Sequence, residues 1–233
     1  MKEDGWVQLR ELTPARIRLG RAGHSIPTRE LLAFRFDHAR ARDAVHDALD
    51  PRAFEGIVLK SAAPDRGTYL RRPDLGRRLD GESAKLLNKG DWDAVLILAD
   101  GLSARAVQRH GQALVNGLRA ELADWKIAPL FVVEQGRVAI GDEIGERVGA
   151  RLAAVMIGER PGLSSPDSLG VYLTWSPRIG RTDAERNCVS NIRLEGLRPA
   201  LAATRVASLM RSARAWQVTG VALGKRLSLV ESD

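Results

Sequence analysis

The sequence predicts an α/β protein: a doubly wound parallel sheet preceded by a small helical part. Three observations lead there. Residues 94–99, 127–133 and 152–157 are dense apolar runs, with the length and composition of strands buried on both faces. Helix-forming stretches alternate with them, the longest over residues 104–122. Ahead of residue 56 the pattern is helical and interrupted by glycine. We therefore divide the chain into a helical amino-terminal region, residues 1–55, and a sheet domain, residues 56–233.

The amino-terminal region mixes apolar and basic positions. Thr13 and Pro14 open a helix, with proline at its first position, and Gly20 and Gly23 end it. Pro27 and Thr28 open a second, with Thr28 as the cap and Leu31, Leu32, Phe34, Ala41, Val45 and Leu49 at broadly helical spacing. Asp50 and Pro51 stop it. Arg16, Arg18, Arg21 and Arg29 give either a solvated face or a surface for a partner's carboxylates or a phosphate. Residues 57–60 are a short strand and residues 64–67 a turn. A helix is expected near Pro73 and Asp74. Arg71, Arg72, Arg77 and Arg78 there suit a phosphate or carboxylate contact, or a plain surface.

The strand at 94–99 ends at Asp100-Gly101-Leu102-Ser103, where Ser103 caps the helix over 104–122. After the strand at 127–133, Gly136 permits a tight turn. A short helix from Asp142 follows, with Gly145 and Gly149 allowing close packing on the sheet. After the strand at 152–157 comes a Gly/Ser/Pro-rich loop carrying Glu159 and Arg160. Residues 171–175 are a further strand, 181–191 a polar stretch, 199–216 an amphipathic helix, and 218–227 a short tail strand or irregular end. In an open α/β sheet, ligands bind beyond the carboxyl ends of the strands. The loops there supply Asp100, Ser103, Gly136, Val138, Glu159 and Arg160 as candidate binding residues. The alternatives are that Asp100 only caps its own turn and that the loop at 158–170 is an ordinary surface turn.

The functional classes narrow by elimination. One cysteine, Cys188, rules out a disulfide framework and a cysteine-rich metal site. His24, His38, His46 and His110 form no metal-ligand pattern with carboxylates, so no metal site is expected. Neither GxGxxG nor GxxxxGK[ST] is present. No apolar run reaches membrane length, and no segment reads as a signal peptide, so a cytoplasmic protein without a membrane role is expected. The +7 net charge is not backed by any nucleic-acid-binding module, so nucleic acid is not expected as a partner. No Ser-His-Asp set, catalytic lysine or paired carboxylates stand in register, so no catalytic residue is assigned. A crevice without chemistry of its own suits a subunit that holds a cofactor against a partner. The competing readings are a stand-alone nucleotide-binding enzyme and a non-catalytic scaffold subunit.

Short motifs spread over nearly the whole chain carry a more specific resemblance. They are Gly20-Arg21-Ala22-Gly23, Tyr69-Leu70-x-Arg72-Pro73-Asp74-x-Gly76-Arg77-Arg78-Leu79, Asp100-Gly101-Leu102-Ser103 and Gly136-Arg137-Val138. Further along come Gly145-Glu146, Gly158-Glu159-Arg160-Pro161-Gly162-Leu163, Ser176-Pro177-Arg178 and Asp183-x-x-Arg186-Asn187-Cys188-Val189-Ser190-Asn191-Ile192. In this order they resemble the small (light) subunit of ethanolamine ammonia-lyase. The resemblance implies a Rossmann-like sheet domain and a hetero-oligomer of several large–small pairs. It implies adenosylcobalamin as cofactor, held at the interface with a large catalytic subunit that binds ethanolamine. The implied reaction is radical conversion of ethanolamine to acetaldehyde and ammonia. Carried over by motif, Val138, Glu159 and Cys188 are the implied cobalamin contacts, with Arg160, Asp100 and Ser103 added from their strand-end positions. Asn187 stands where the commoner pattern has threonine. Some family members carry a longer amino-terminal extension linked to packaging in a bacterial microcompartment; here Gly20-Arg21-Ala22-Gly23 begins at residue 20, and cytosolic residence is the expectation alongside encapsulation.

Overall fold

Residues 94–99 are wholly inaccessible to solvent, and the rest of the fold is laid around them. The structure, a computed structural model, describes residues 5–230 apart from Pro14 and Arg21. The helix start at Pro14 and the basic position Arg21 therefore lie outside the described residues. In chain order the elements are α1 (Gly5–Glu11), α2 (Thr28–His46), β1 (Ile57–Lys60), α3 (Arg66–Arg71), α4 (Gly81–Lys85), β2 (Trp92–Ala99) and α5 (Ala104–Glu121). There follow β3 (Phe131–Glu134), α6 (Ile140–Val148), β4 (Ala150–Gly158), β5 (Leu169–Trp175), β6 (Arg186–Ile192), α7 (Pro199–Trp216) and α8 (Val221–Val230).

The fold is α/β, as expected, but its sheet is mixed. The six strands run in the order β1-β3-β2-β4-β5-β6. The first four are mutually parallel, whereas β4–β5 and β5–β6 are antiparallel. Connection length accounts for the change: a parallel return needs a crossover of about a dozen residues or more, usually helical. The segment 159–168 holds no helix and leads straight back into β5. The parallel order β1-β3-β2-β4 also differs from the 3-2-1-4 order of a dinucleotide-binding sheet.

Strand alternation divides the core. Ala94, Leu96 and Leu98 face one cluster with α5 and α7; Val95, Ile97 and Ala99 face a second with α6. Gly141 and Gly145 let α6 lie close to its neighbours, since a Cβ on them would come within 2.3 Å of Val155 Cγ2 and 2.4 Å of Pro177 Cγ. Gly149 instead ends α6 in the left-handed conformation (φ 76°).

Several local expectations need correction. The first described helix precedes Thr13, and α2 is preceded by Pro27 without a side-chain cap. It ends at His46, and Asp50 caps a separate 3-10 turn by accepting from Arg52 N at 3.1 Å. The helix expected near Pro73 and Asp74 is there only as a short 3-10 turn, Leu75–Arg77, and an unexpected helix, α3, precedes it, because Asp65 accepts from Thr68 N at 2.8 Å where a turn was expected. The strand expected from residue 127 starts at Phe131. The polar stretch contains β6, and the tail is the helix α8. Among the described residues, α2 buries only Ala44, while Leu49 and Phe54 join the α5–α7 cluster. No helix is long and apolar enough to cross a membrane among the described residues.

Candidate functional site

Because β2, β3 and β4 are parallel, their carboxyl ends share one edge of the sheet. The chain leaves β2 for α5 on one face and β3 for α6 on the other. Divergence of neighbouring strands opens a crevice between them. A cleft of ≈ 270 Å³ occupies it. Gly101 and Leu102 come from the loop after β2, Arg137 and Val138 from the loop after β3, and Gly158, Glu159 and Arg160 from the end of β4. Tyr172 of β5 and Tyr69 of α3 complete the wall. A larger hollow, ≈ 500 Å³, lies by Trp175, Gln217 and Lys225, away from these strand ends.

Two glycines set the floor. A Cβ on Gly158 would stand 2.0 Å from Ser103 O, and one on Gly101 (φ 56°) 2.3 Å from Gly158 O. The β2 loop thus lies directly on the end of β4, joined by Leu102 N donating to Gly158 O at 2.9 Å. Glu159 follows at once and is half-buried. Its backbone N–H donates to Ser168 O at 2.9 Å. Its Oε2 accepts from the Ser168 hydroxyl and from Asn191 N (3.3 Å), whereas Oε1 accepts nothing from the described residues. Gly170 leaves room for this carboxylate, since a Cβ there would lie 2.8 Å from Oε1. Arg160 is exposed at the rim, and its guanidinium is unpaired among the described residues.

Val138 owes its position to Asp100. The Asp100 carboxylate accepts from Gln135 N and Gly136 N, each at 3.0 Å, and Arg66 Nη1 approaches to 3.5 Å while donating to Gly101 O at 2.9 Å. The left-handed residue of this loop is Gln135 (φ 59°), not Gly136; Gly136 is needed because a Cβ would meet Ala99 Cβ at 3.0 Å. Burial pushes the Asp100 pKa up to about 6, against the hydrogen bonds and Arg66 that favour its charged form. Ser103 is fully buried: it caps α5 by accepting from Ala106 N (3.3 Å) and donates to Pro166 O at 2.8 Å. Asp167, next along, takes hydrogen bonds from Arg109 (2.9 Å) and His110 (3.3 Å), which outweigh burial and lower its pKa. Asp100 and Ser103 therefore lie beneath the cleft and shape it, while Val138, Glu159 and Arg160 line it.

Cys188 stands opposite Tyr172 in the β5–β6 register, so its side chain shares a sheet face with that cleft residue. It is exposed. Neighbouring groups still shield the thiol from part of the solvent, and this desolvation raises its pKa; a hydrogen bond with Tyr172 opposes the rise and the Glu159 carboxylate adds to it. A thiol so placed stays protonated at neutral pH and is a poor nucleophile. Burial likewise raises the Tyr172 hydroxyl. The arrangement can accept hydrogen bonds and pack against a ligand, and it holds no nucleophile–base pair.

Tyr69 and Tyr172 were missed as site residues by the sequence reading. The signal was available in composition: the chain has only two tyrosines, and both line this cleft. The Tyr69 hydroxyl donates to Gly136 O at 3.0 Å. Arg137 lies over its ring at 4.2 Å from the centroid, which anchors α3 beneath the Val138 turn.

The comparisons with known proteins fall on the same chain from end to end. Residues 3–224 match the family described as "Ethanolamine ammonia-lyase light chain (EutC)". A protein of Azotobacter vinelandii named "Ethanolamine ammonia-lyase small subunit" is 53% identical over 99% of this chain and 92% of its own length. Proteins of the same name from Ralstonia nicotianae and Pseudomonas paraeruginosa are 54% and 53% identical, each over 95% of this chain and over 88% and 87% of their own. The chain therefore belongs to the ethanolamine ammonia-lyase light-chain family.

Proposed function

We propose that this chain holds adenosylcobalamin at an interface with a large subunit, the pair acting as an ethanolamine ammonia-lyase that yields acetaldehyde and ammonia. The observation that carries the reading is the size and openness of the cleft. Small-molecule sites that enclose a ligand usually span about 300–1,000 Å³. A cleft of ≈ 270 Å³ can take one edge of a corrinoid and no more, so a second surface has to cover the rest. The curated relatives are named as small subunits, which calls for a larger partner. The residues present fit such a group, since Glu159 lines the cleft with an Oε1 that accepts nothing from the described residues, while Gly101 and Gly158 let the β2 loop close the floor.

Adenosylcobalamin, when bound, supplies radical chemistry on the substrate. The residues of this chain supply position. Glu159 accepts a hydrogen bond from an amide side group, Val138 and Tyr172 give apolar contact, and Cys188 lies alongside as a neutral thiol. Arg160 sits at the rim, where it faces the partner or a polar edge of the cofactor. Asp100 and Ser103 keep the two loops in place. The substrate site and any proton transfer belong to the large subunit, and the working form is a hetero-oligomer of large–small pairs in the cytosol.

The test is reconstitution. The chain alone should release no acetaldehyde from ethanolamine, and adding the large subunit with adenosylcobalamin should restore release. Full activity of the large subunit without this chain would refute the reading.

A further inference from the structure

A second hollow, ≈ 410 Å³, adjoins the cleft and shares Arg137 and Val138 with it. Four arginines line it: Arg77, Arg137, Arg181 and Arg186. Two are neutralised within the protein. Arg186 makes paired 2.7 Å bonds to both Asp142 oxygens, and Arg181 pairs with Glu185 and donates to Ser176 O. The other two are not. The Arg77 guanidinium is exposed and makes no side-chain bond among the described residues. The Arg137 guanidinium stacks on Tyr69 and donates through Nη2 to Tyr69 O at 3.2 Å, but its buried Nε has no hydrogen-bond partner among the described residues.

The backbone brings these two cations together. Arg137 N donates to Gly76 O at 2.8 Å, and a Cβ on Gly76 would stand 2.8 Å from Arg137 Cγ. Of its neighbours in the run, Arg72 is paired with Asp74, and Arg78 with Glu143. Asp183 is the one carboxylate lining this groove; it is fully exposed and lies nearest Arg186, at 3.5 Å. The groove thus carries two guanidinium groups without counter-charge, one of them held rigidly, next to a cleft read as a corrinoid site.

We propose that this groove, through Arg77 and Arg137, binds a phosphate group, namely the phosphodiester of the nucleotide tail of the corrinoid whose ring edge lies in the neighbouring cleft. The inference rests on the corrinoid reading of that cleft. A phosphodiester carries one negative charge and two free oxygens, which match the unengaged donors of two guanidinium groups. Val138, common to both hollows, sits where the ring edge gives way to the tail.

The experiment compares adenosylcobalamin with adenosylcobinamide, which keeps the corrin ring and lacks the nucleotide and its phosphate. Equilibrium dialysis against the complex of this chain with its large subunit gives both dissociation constants, for the wild type and for Arg77→Gln. Arg77 is exposed and unbonded, so its replacement should leave the thermal midpoint unchanged. Loss of one charge-assisted phosphate contact should weaken adenosylcobalamin by about tenfold and leave adenosylcobinamide unaltered. Inorganic phosphate should protect neither form, since the groove reads the phosphate with the ring attached. An equal loss for both corrinoids, or no loss for either, overturns the proposal while leaving the cleft reading intact. Adenosylcobalamin displaced by millimolar inorganic phosphate to the cobinamide level shows a free-phosphate site and overturns the tail assignment. A wild-type complex that retains neither corrinoid overturns the cleft reading itself, and this proposal with it.

Discussion

Glu159 divides its carboxylate between the protein and the cleft. Oε2 is engaged by Ser168 and Asn191, and Oε1 accepts nothing from the described residues. Replacing Glu159 by alanine should weaken adenosylcobalamin in the assembled enzyme by about tenfold, the worth of one hydrogen bond to a charged group. Unchanged retention in a dialysis measurement would remove Glu159 from the contact set. Asp100 has a different role, and pH exposes it. Its folded-state pKa of about 6 lies above the ordinary value of 3.8. A raised pKa means that the folded chain takes up this proton more readily than the unfolded one. Its contribution to stability is therefore full below the unfolded value and is lost as pH rises through about 6. A carboxyl-carbon NMR titration should place its midpoint near pH 6, and a midpoint below 4 would contradict the burial argument. Asp100→Ala should cost ~2–4 kcal/mol in urea unfolding, because it strands the buried Gly136 N–H and the half-buried Gln135 N–H and leaves Arg66 without its carboxylate. From sequence, Asp100 reads as a strand-end carboxylate that faces a ligand or caps its own turn. Its partners, Gln135 and Gly136, come from another loop, and no local pattern reveals a bond across that separation.

At the scale of elements, a buried ion pair ties β6 to α6. Arg186 on β6 grips Asp142 in the first turn of α6, with both side chains nearly inaccessible to solvent. Asp142→Ala leaves this buried cation with only the exposed Asp183, 3.5 Å away, and should cost about 3–5 kcal/mol, read from urea midpoints. Replacing both residues by leucine should recover most of that loss; a double variant as unstable as the single one would show that the pair has another role. α2 is the opposite case, burying only Ala44 while Leu32 and Phe36 are 58% and 63% exposed. Its amides in the free chain should exchange hydrogen orders of magnitude faster than those of α5. Comparable protection of the two helices would show that α2 is held more firmly than its burial implies. The buried parallel strands were legible because they are continuous apolar runs. β6 was not, since it lies at the sheet edge with Arg186, Asn187, Cys188, Ser190 and Asn191 interrupting its pattern. α8 was missed for a related reason: Gly224 sits inside it, and among its described side chains only Leu223 is fully buried.

For the whole molecule, a mixed sheet places three loops along one edge, and those loops form a wall instead of an enclosure. The motif order legible in the sequence reached the right family, and Val138, Glu159 and Arg160 do meet in space. The extent of the cleft was not legible, because it depends on the volume that the loops leave open. The central claim is that this chain is one wall of a corrinoid site which a large subunit completes. The most direct measurement is equilibrium dialysis of adenosylcobalamin against the chain alone, the large subunit alone and their mixture. Strong retention by the mixture, at least tenfold above either part, is the predicted result. Retention by the large subunit alone equal to that of the mixture would contradict the claim.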